Sequence, residues 1–214
     1  MASLDEAFAK LAGDEARRLA RRSREVGAYL RDQRDAGFMR IFNAVTQKAW
    51  DEDAARRTRA RFRGHRSFKA FEVRMARVIV PRLMRDTQRA KRDFYAARYK
   101  GIVGLWAKRG IALPRITRGG IRRTESLLVQ GLSEREAFAE YARELVKRLP
   151  ALCALSLRRA ATYPEFQAMF KRAASDSWSG FAARIRTHFE NACIQAATQA
   201  AYDLAPKPER IRAA

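Results

Sequence analysis

Apolar residues recur every three or four positions along most of the chain, which is the spacing of one face of an α-helix. No stretch keeps the alternation of apolar and polar residues, with a period of two, that is typical of a half-buried strand. We therefore predict an all-α fold of about seven or eight helices, with a long basic helical arm and a C-terminal helical bundle.

The N-terminal helices are predicted from caps and glycines. Ser3 followed by Glu6 is a capping-box pattern, so the first helix is expected to begin at Leu4. A second apolar set follows Gly37 and predicts a second helix. The acids at positions 51–53 are expected to open a third, shorter helix, because negative charge stabilises a helix N-terminus.

The longest helical pattern begins after Ser67 and continues to Trp106. Pro81 is its only internal proline. Proline removes a helical hydrogen bond and clashes with the preceding turn, so we expect a kink or a break near Val80.

Glycine and proline cluster between residues 110 and 120, which is the strongest loop signal in the chain. We predict that this loop separates a basic N-terminal helical region, residues 1–109, from a C-terminal helical bundle, residues 121–205.

In the C-terminal region a short helix is predicted over residues 121–130. Ser133 and Glu136 form a second capping-box pattern, for a helix expected to end before Pro150. Thr162 and Glu165 form a third.

A last helix is predicted from about Ser179 to Leu204. It carries a run of small side chains that would let another helix pack closely against it: Ala192, Ala196, Ala197, Ala200 and Ala201.

Composition shows that this is a folded protein with an unusual charge. Hydrophobic residues make up 47% of the chain and aromatic residues 10%, which is enough to build a core and argues against a disordered basic tail. The formal net charge is +22. A charge so far from zero opposes compaction, and a polyanionic partner relieves that repulsion.

The positive charge is concentrated between Arg56 and Lys100, where 16 Lys or Arg residues stand against three acids. Arg82, Arg85 and Arg89 have spacings of three and four, and Arg92 follows by three, so they share one helix face. Such a face suits a phosphate backbone, and we predict nucleic-acid binding, with DNA favoured over RNA and RNA left as an alternative. The predicted binding residues are Arg56, Arg57, Arg59, Arg61, Arg63, Arg66, Lys69, Arg74, Arg77, Arg82, Arg85, Arg89 and Arg92. An acidic protein surface is the other partner that this charge allows.

Residues 121–148 support an alternative prediction, a helix-turn-helix regulator of DNA. A short predicted helix, a turn at Gly131 and the helix after Ser133 fit that motif. The second helix, however, is rich in glutamate, whereas a recognition helix presents Arg, Lys, Asn or Gln to base edges. An ordinary helical hairpin explains the pattern better.

The sequence gives little support for catalysis. His65 and His188 belong to no metal or nucleophile motif, and His188 is interpreted as a helix-surface or partly packed residue. Glu72, Asp86 and Asp93 could hold magnesium in principle, but ion pairing with neighbouring arginines explains them better. We expect a non-enzymatic protein without a cofactor or a metal.

The two cysteines, Cys153 and Cys193, lie in separate segments and indicate neither a disulfide framework nor a zinc site. The chain starts without a secretion-signal pattern and contains no run of about 18 apolar residues. We expect a protein located in the cytoplasm or inside a virion, without a membrane partner.

Residues 184–204 read Arg-Ile-Arg-Thr-His-Phe-Glu-Asn-Ala-Cys-Ile-Gln-Ala-Ala-Thr-Gln-Ala-Ala-Tyr-Asp-Leu. This segment resembles the alanine-rich helix of the Mu-type minor head proteins of tailed phages. Ile185, Arg186 and Thr187 match that family's pattern, His188 stands where the family has glutamate, and residues 131–133 supply its upstream turn. The resemblance is confined to the C-terminal half. It implies a structural virion component that assembles near the portal, with portal or capsid proteins as partners in an oligomeric assembly.

Overall fold

The computed structural model describes residues 4–56, 66–108, 110 and 131–204. These residues are almost entirely helical and contain no strand, which confirms the all-α prediction. The helices are α1 (Leu4–Gln33), α2 (Met39–Arg56), α3 (Arg66–Arg74), α4 (Val80–Ala107), α5 (Glu134–Arg159) and α6 (Tyr163–Leu204), with π-helical turns at Arg34–Phe38 and Met75–Ile79.

The π-helical turns join neighbouring helices into longer rods. The N–H of Met39 donates to the carbonyl of Arg34, so α1 and α2 form one continuous helix. Gly37 is therefore an internal residue, and the prediction of a new helix after it is wrong. The prediction of a third helix at residues 51–53 is also wrong, since α2 runs through them to Arg56. The described residues thus form four long rods, fewer than the seven or eight helices expected.

The irregularity expected near Val80 is a π-helical turn and not a break. The N–H of Val80 donates to the carbonyl of Met75, five residues back. Pro81 occupies the first turn of α4, where a missing N–H is tolerated best. The rod formed by α3 and α4 therefore continues from Arg66 to Ala107.

The capping box at the start of α5 is confirmed. The N–H of Ser133 donates to Glu136 Oε2 at 2.9 Å, and the N–H of Glu136 donates to Ser133 Oγ at 3.4 Å. The expected end before Pro150 is wrong, because α5 continues to Arg159. Burial of Leu157 in the core favours this continuation and offsets the hydrogen bond that Pro150 removes.

The capping box of Thr162 and Glu165 is also confirmed, and it opens α6. The N–H of Thr162 donates to Glu165 Oε2 at 3.3 Å. A separate helix start near Ser179 was wrongly predicted, because α6 runs unbroken through this position to Leu204. One buried stripe continues along it: Phe166, Phe170, Ala174, Trp178, Phe181, Ile185, Phe189 and Cys193.

Helix α6 is central to the hydrophobic core, which draws on all six helices. Phe42 of α2 stacks on Phe170 with ring centroids 5.7 Å apart, and Phe38 lies 5.4 Å from Trp178. The alanines of α6 are buried where α1 and α4 approach: Ala192, Ala196, Ala197 and Ala200. Small side chains here allow close helix packing, as the sequence predicts.

Helices α1 and α4 lie side by side and antiparallel. Three contacts define this register: Leu11 against Gly101, Arg98 Nη1 to Glu15 Oε1 at 2.8 Å, and Arg22 Nη2 to Asp93 Oδ2 at 2.9 Å. The outward faces of the two helices therefore form one surface, and this surface contains the candidate site.

Several predictions fall on residues outside the described ranges. These are the cap residue Ser3, the basic segment 57–65 with His65, and most of the 110–120 loop with the short helix over 121–130. The division into regions 1–109 and 121–205 stays a prediction. Among the helices that are described, none has both the length and the apolar character needed to cross a membrane.

Candidate nucleic-acid interface

The row of arginines predicted from spacing is exposed on α4. Arg82, Arg85, Arg89 and Arg92 all face solvent, on the side of the helix opposite its core residues Leu83, Ala90 and Phe94. The row covers about 15 Å of helix axis. The predicted shared helix face is therefore confirmed, and binding by these four residues stays a prediction.

The other predicted binding residues are described only in part. Lys69 lies in α3 and Arg77 in the π-helical turn that precedes α4, and both are exposed. Arg74 is half-buried and donates from Nη2 to Gln33 Oε1 at 3.3 Å. The side chains of Arg56 and Arg66, and the whole of Arg57, Arg59, Arg61 and Arg63, lie outside the description. Their part in binding stays a prediction.

Acids near the arginine row are largely engaged by α1. Arg22 donates one hydrogen bond to Asp93 and another, of 2.8 Å, to Glu25. Glu25 also accepts a hydrogen bond of 3.3 Å from Arg21. The hydrogen bond from Arg22 lowers the pKa of Glu25. Within the described part of the chain, Arg85 and Arg89 form no ion pair. Their charges remain available to an external anion.

Arg82 is held at the seam between α1 and α4. Its guanidinium lies 4.8 Å from the ring centroid of Tyr29, within cation–π range. Burial raises the pKa of Tyr29, so its hydroxyl keeps its proton at neutral pH. The contact orients Arg82 without neutralising it.

A groove of about 1050 Å³ lies between α4 and the first turn of α5. Four arginines line it together with two acids and an apolar floor: Arg85, Arg89, Arg92, Arg135, Asp86, Asp93, Met84 and Pro81. Arg135 is a residue that the sequence prediction missed. Only the packing of α5 against α4 brings it beside the arginine row, and spacing along one helix gives no signal of that.

We call the surface formed by Arg22, Arg82, Arg85, Arg89, Arg92 and Arg135 the arginine face. Arg89 connects its two halves, because it also lines the groove between α1 and α4 that contains Arg22. Three acids lie along this face: Asp86, and Asp93 and Glu25, which both accept hydrogen bonds from Arg22. The face therefore carries a clear excess of positive charge over three neighbouring helices.

The described half of the helix-turn-helix alternative is packed into the core. Glu134 and Phe138, in the first turns of α5, are buried, whereas a recognition helix places its N-terminal residues against base edges. This geometry does not favour insertion of α5 into a groove of DNA.

A buried polar cluster lies behind the arginine face. Lys91 Nζ is 3.5 Å from Glu134 Oε1, and Thr87 Oγ1 is 3.1 Å from Glu134 Oε2. His188 is 3% exposed and packs edge-on against Phe138 with centroids 5.6 Å apart. The interpretation of His188 as a helix-surface residue is therefore wrong, and its packing is more complete than expected. Sequence reasoning also missed the burial of Lys91 and Glu134.

The described acids and thiols do not form a catalytic arrangement that we can recognise. Of the three candidate carboxylates, Asp93 pairs with Arg22, and no group of three or more His, Cys, Asp or Glu in the described residues could hold a metal. Cys153 and Cys193 are both buried, and burial raises the pKa of Cys193 to about 12.

The chain matches no protein-family model, no curated protein and no solved structure. The functional inference therefore depends on the residues and the geometry described above.

Proposed function

We propose that this protein binds the phosphate backbone of nucleic acid, DNA rather than RNA, through the arginine face and without reading sequence. The observation that carries this proposal is the exposure of Arg85 and Arg89 without an ion pair in the described residues, in a groove shared with Arg92 and Arg135. The planar guanidinium donates two hydrogen bonds at once to a phosphate, which favours this ligand.

Charge over the whole chain supports a polyanionic partner. The formal net charge is +22, and arginine outnumbers lysine by 36 to 9. A single small anion would leave most of this charge uncompensated, whereas a nucleic-acid backbone carries about one charge per 1.7 Å of duplex axis.

The surroundings of α4 favour binding without sequence specificity. Helix α1 lies on one side of the arginine row and the start of α5 on the other, so α4 does not project from the surface. A helix in this position can lie along phosphates, whereas direct reading of bases requires a helix or ribbon that enters the major groove.

A structural or assembly role, and not catalysis, fits this binding activity. Placement of the protein in a phage head, next to packaged DNA and near the portal, stays a prediction based on the resemblance of residues 184–204. In the fold this segment is the end of α6, where Ile185 and His188 are buried.

A paired substitution experiment tests the proposal. Arg85→Gln with Arg89→Gln removes two charges from the arginine face, whereas Lys171→Gln with Arg172→Gln removes two exposed charges from α6. We expect the first pair to weaken duplex binding about tenfold or more, and the second pair to change it little. Equal losses for both pairs would show that net charge alone, and not this face, determines binding.

A further inference from the structure

A second groove, of about 460 Å³, lies between α3 and α5, formed by residues outside the arginine face. Its floor is apolar and contains Phe68, Val146, Pro150 and Ala151. Three exposed cations surround this floor: Lys69 from α3, and Arg143 and Lys147 from α5. The volume is within the range of about 300–1,000 Å³ that is typical of ligand-binding pockets.

The cations of this groove are available to a ligand. Within the described residues, Lys69, Arg143 and Lys147 form no ion pair. Glu144, the acid next to Arg143, accepts a hydrogen bond from Arg184 of α6, which lowers the pKa of Glu144. Glu144 therefore forms its hydrogen bond with Arg184 and not with a cation of the groove.

The groove also presents acceptors, which a phosphate backbone would not use. The carboxylate of Glu72 lines it. A ligand that carries backbone N–H donors as well as carboxylates satisfies both kinds of group.

Both helices of the groove also carry exposed apolar side chains one turn beyond its lining residues. Val73, one turn after Lys69, is 48% exposed, and Leu155, one turn after Ala151, is 44% exposed. Large exposed apolar side chains beside an apolar groove are typical of protein-binding surfaces.

We propose that the groove between α3 and α5 binds an acidic peptide segment of a partner protein. Apolar side chains of the peptide contact the half-buried Pro150 and Ala151, and its carboxylates contact Lys69, Arg143 and Lys147. The charge of the groove selects an acidic partner, and its apolar floor distinguishes a peptide from nucleic acid. The protein then has two separate surfaces, one for a nucleic acid and one for a protein.

The probe is a short fluorescein-labelled peptide that combines aspartate and glutamate with leucine and phenylalanine. The control peptide keeps the acids and replaces the apolar residues by serine. Fluorescence anisotropy should show that the apolar acidic peptide binds the full chain at least about tenfold more tightly than the control peptide. Equal binding of the two peptides would overturn the proposal, since charge alone would then account for it.

Two variants locate the site. Arg143→Gln with Lys147→Gln should weaken peptide binding about tenfold or more and leave duplex affinity within about twofold. Ala151→Leu fills the groove without changing charge and should also weaken peptide binding. All three side chains are at least partly exposed, and circular dichroism verifies the fold.

Competition with duplex DNA decides whether the groove binds a peptide or a nucleic acid. If the duplex displaces the peptide and Arg143→Gln with Lys147→Gln loses duplex affinity as strongly as peptide affinity, nucleic acid is the ligand of this groove and the proposal is wrong. Arg85→Gln with Arg89→Gln should leave peptide binding unchanged, so the result is separable from the test of the arginine face.

Discussion

Lys91 and Glu134 form an ion pair in the interior of the protein, with Nζ 3.5 Å from Oε1 and side chains that are 1% and 2% exposed. Burial raises the pKa of Glu134, and the charge of Lys91 opposes that rise. The pair joins α4 to the first turn of α5. Because Arg92 and Arg135 are their sequence neighbours, this contact sets how far apart the arginines of the two helices lie.

The first prediction concerns that pair. Lys91→Met leaves the buried carboxyl of Glu134 without its partner, so we expect the free energy of unfolding to fall by about 3–5 kcal/mol. The double variant Lys91→Met with Glu134→Leu removes both charges and should recover much of that loss. Thr87 remains satisfied there, since its hydroxyl also lies 2.9 Å from the carbonyl of Leu83.

Urea unfolding of the two single variants and the double variant measures this coupling. If the single variants are as stable as the parent, or if their losses simply add in the double variant, the pair does not connect α4 to α5 as described.

The second prediction compares two glycines of α4. A Cβ at Gly101 would lie 2.4 Å from Leu11 Cδ1, whereas a Cβ at Gly104 would meet nothing within 4 Å. Gly104→Ala should therefore stabilise the protein by up to about 1 kcal/mol through helix propensity. Gly101→Ala should destabilise it by about 1–3 kcal/mol, because Leu11 must move.

Thermal unfolding of both variants provides the check, and Leu11→Ala combined with Gly101→Ala serves as the control. Removal of the leucine side chain should relieve the clash, so alanine at position 101 should cost less in that background. An identical gain at both glycines would disprove the close approach of α1 and α4.

The third prediction is a pH dependence caused by His188. Burial, and next the charge of Lys91, lower the pKa of this ring below its ordinary value of 6.5. The unfolded chain therefore binds the proton more readily than the folded protein, so stability is lost as the pH falls below 6.5. Glu134, whose pKa is raised above its ordinary value of 4.5, acts in the opposite direction, because the folded protein binds that proton more readily than the unfolded chain.

The difference in stability between the parent and His188→Leu isolates the contribution of the imidazole ring to the pH dependence. Unfolding free energies measured between about pH 5 and pH 8 should show a smaller loss toward acid in the variant than in the parent. Parallel curves would mean that His188 is protonated as easily in the folded state as in the unfolded chain.

Local signals in the sequence predict much of this fold. The capping boxes at Ser133 and Thr162 mark real helix starts, because cap hydrogen bonds involve residues three positions apart. The arginine row on α4 is also a local feature, because residues three and four positions apart share one face of a helix. The helix boundaries predicted at Gly37 and Pro150 are wrong, because burial of neighbouring apolar residues stabilises the continuous helices despite the weak helix propensity of glycine and proline.

Features that depend on packing between helices could not be predicted from one sequence. In the sequence, Lys91 cannot be distinguished from an exposed helical lysine. Glu134 likewise cannot be distinguished from a surface acid at a helix start. Their burial follows from the approach of α5 to α4, as does the arrival of Arg135 at the arginine face. Contacts between segments that are far apart in the sequence produce no periodic pattern of residues along the chain.

The salt dependence of duplex binding tests the central claim most directly. If the arginine face neutralises roughly four phosphates, log affinity plotted against log salt should have a slope of about −3 to −4, equal for duplexes of different sequence. The Arg85→Gln with Arg89→Gln variant should have a slope that is less steep by about 2. A slope near zero for the parent, or no duplex binding at low ionic strength, would contradict the proposal that this face binds nucleic acid.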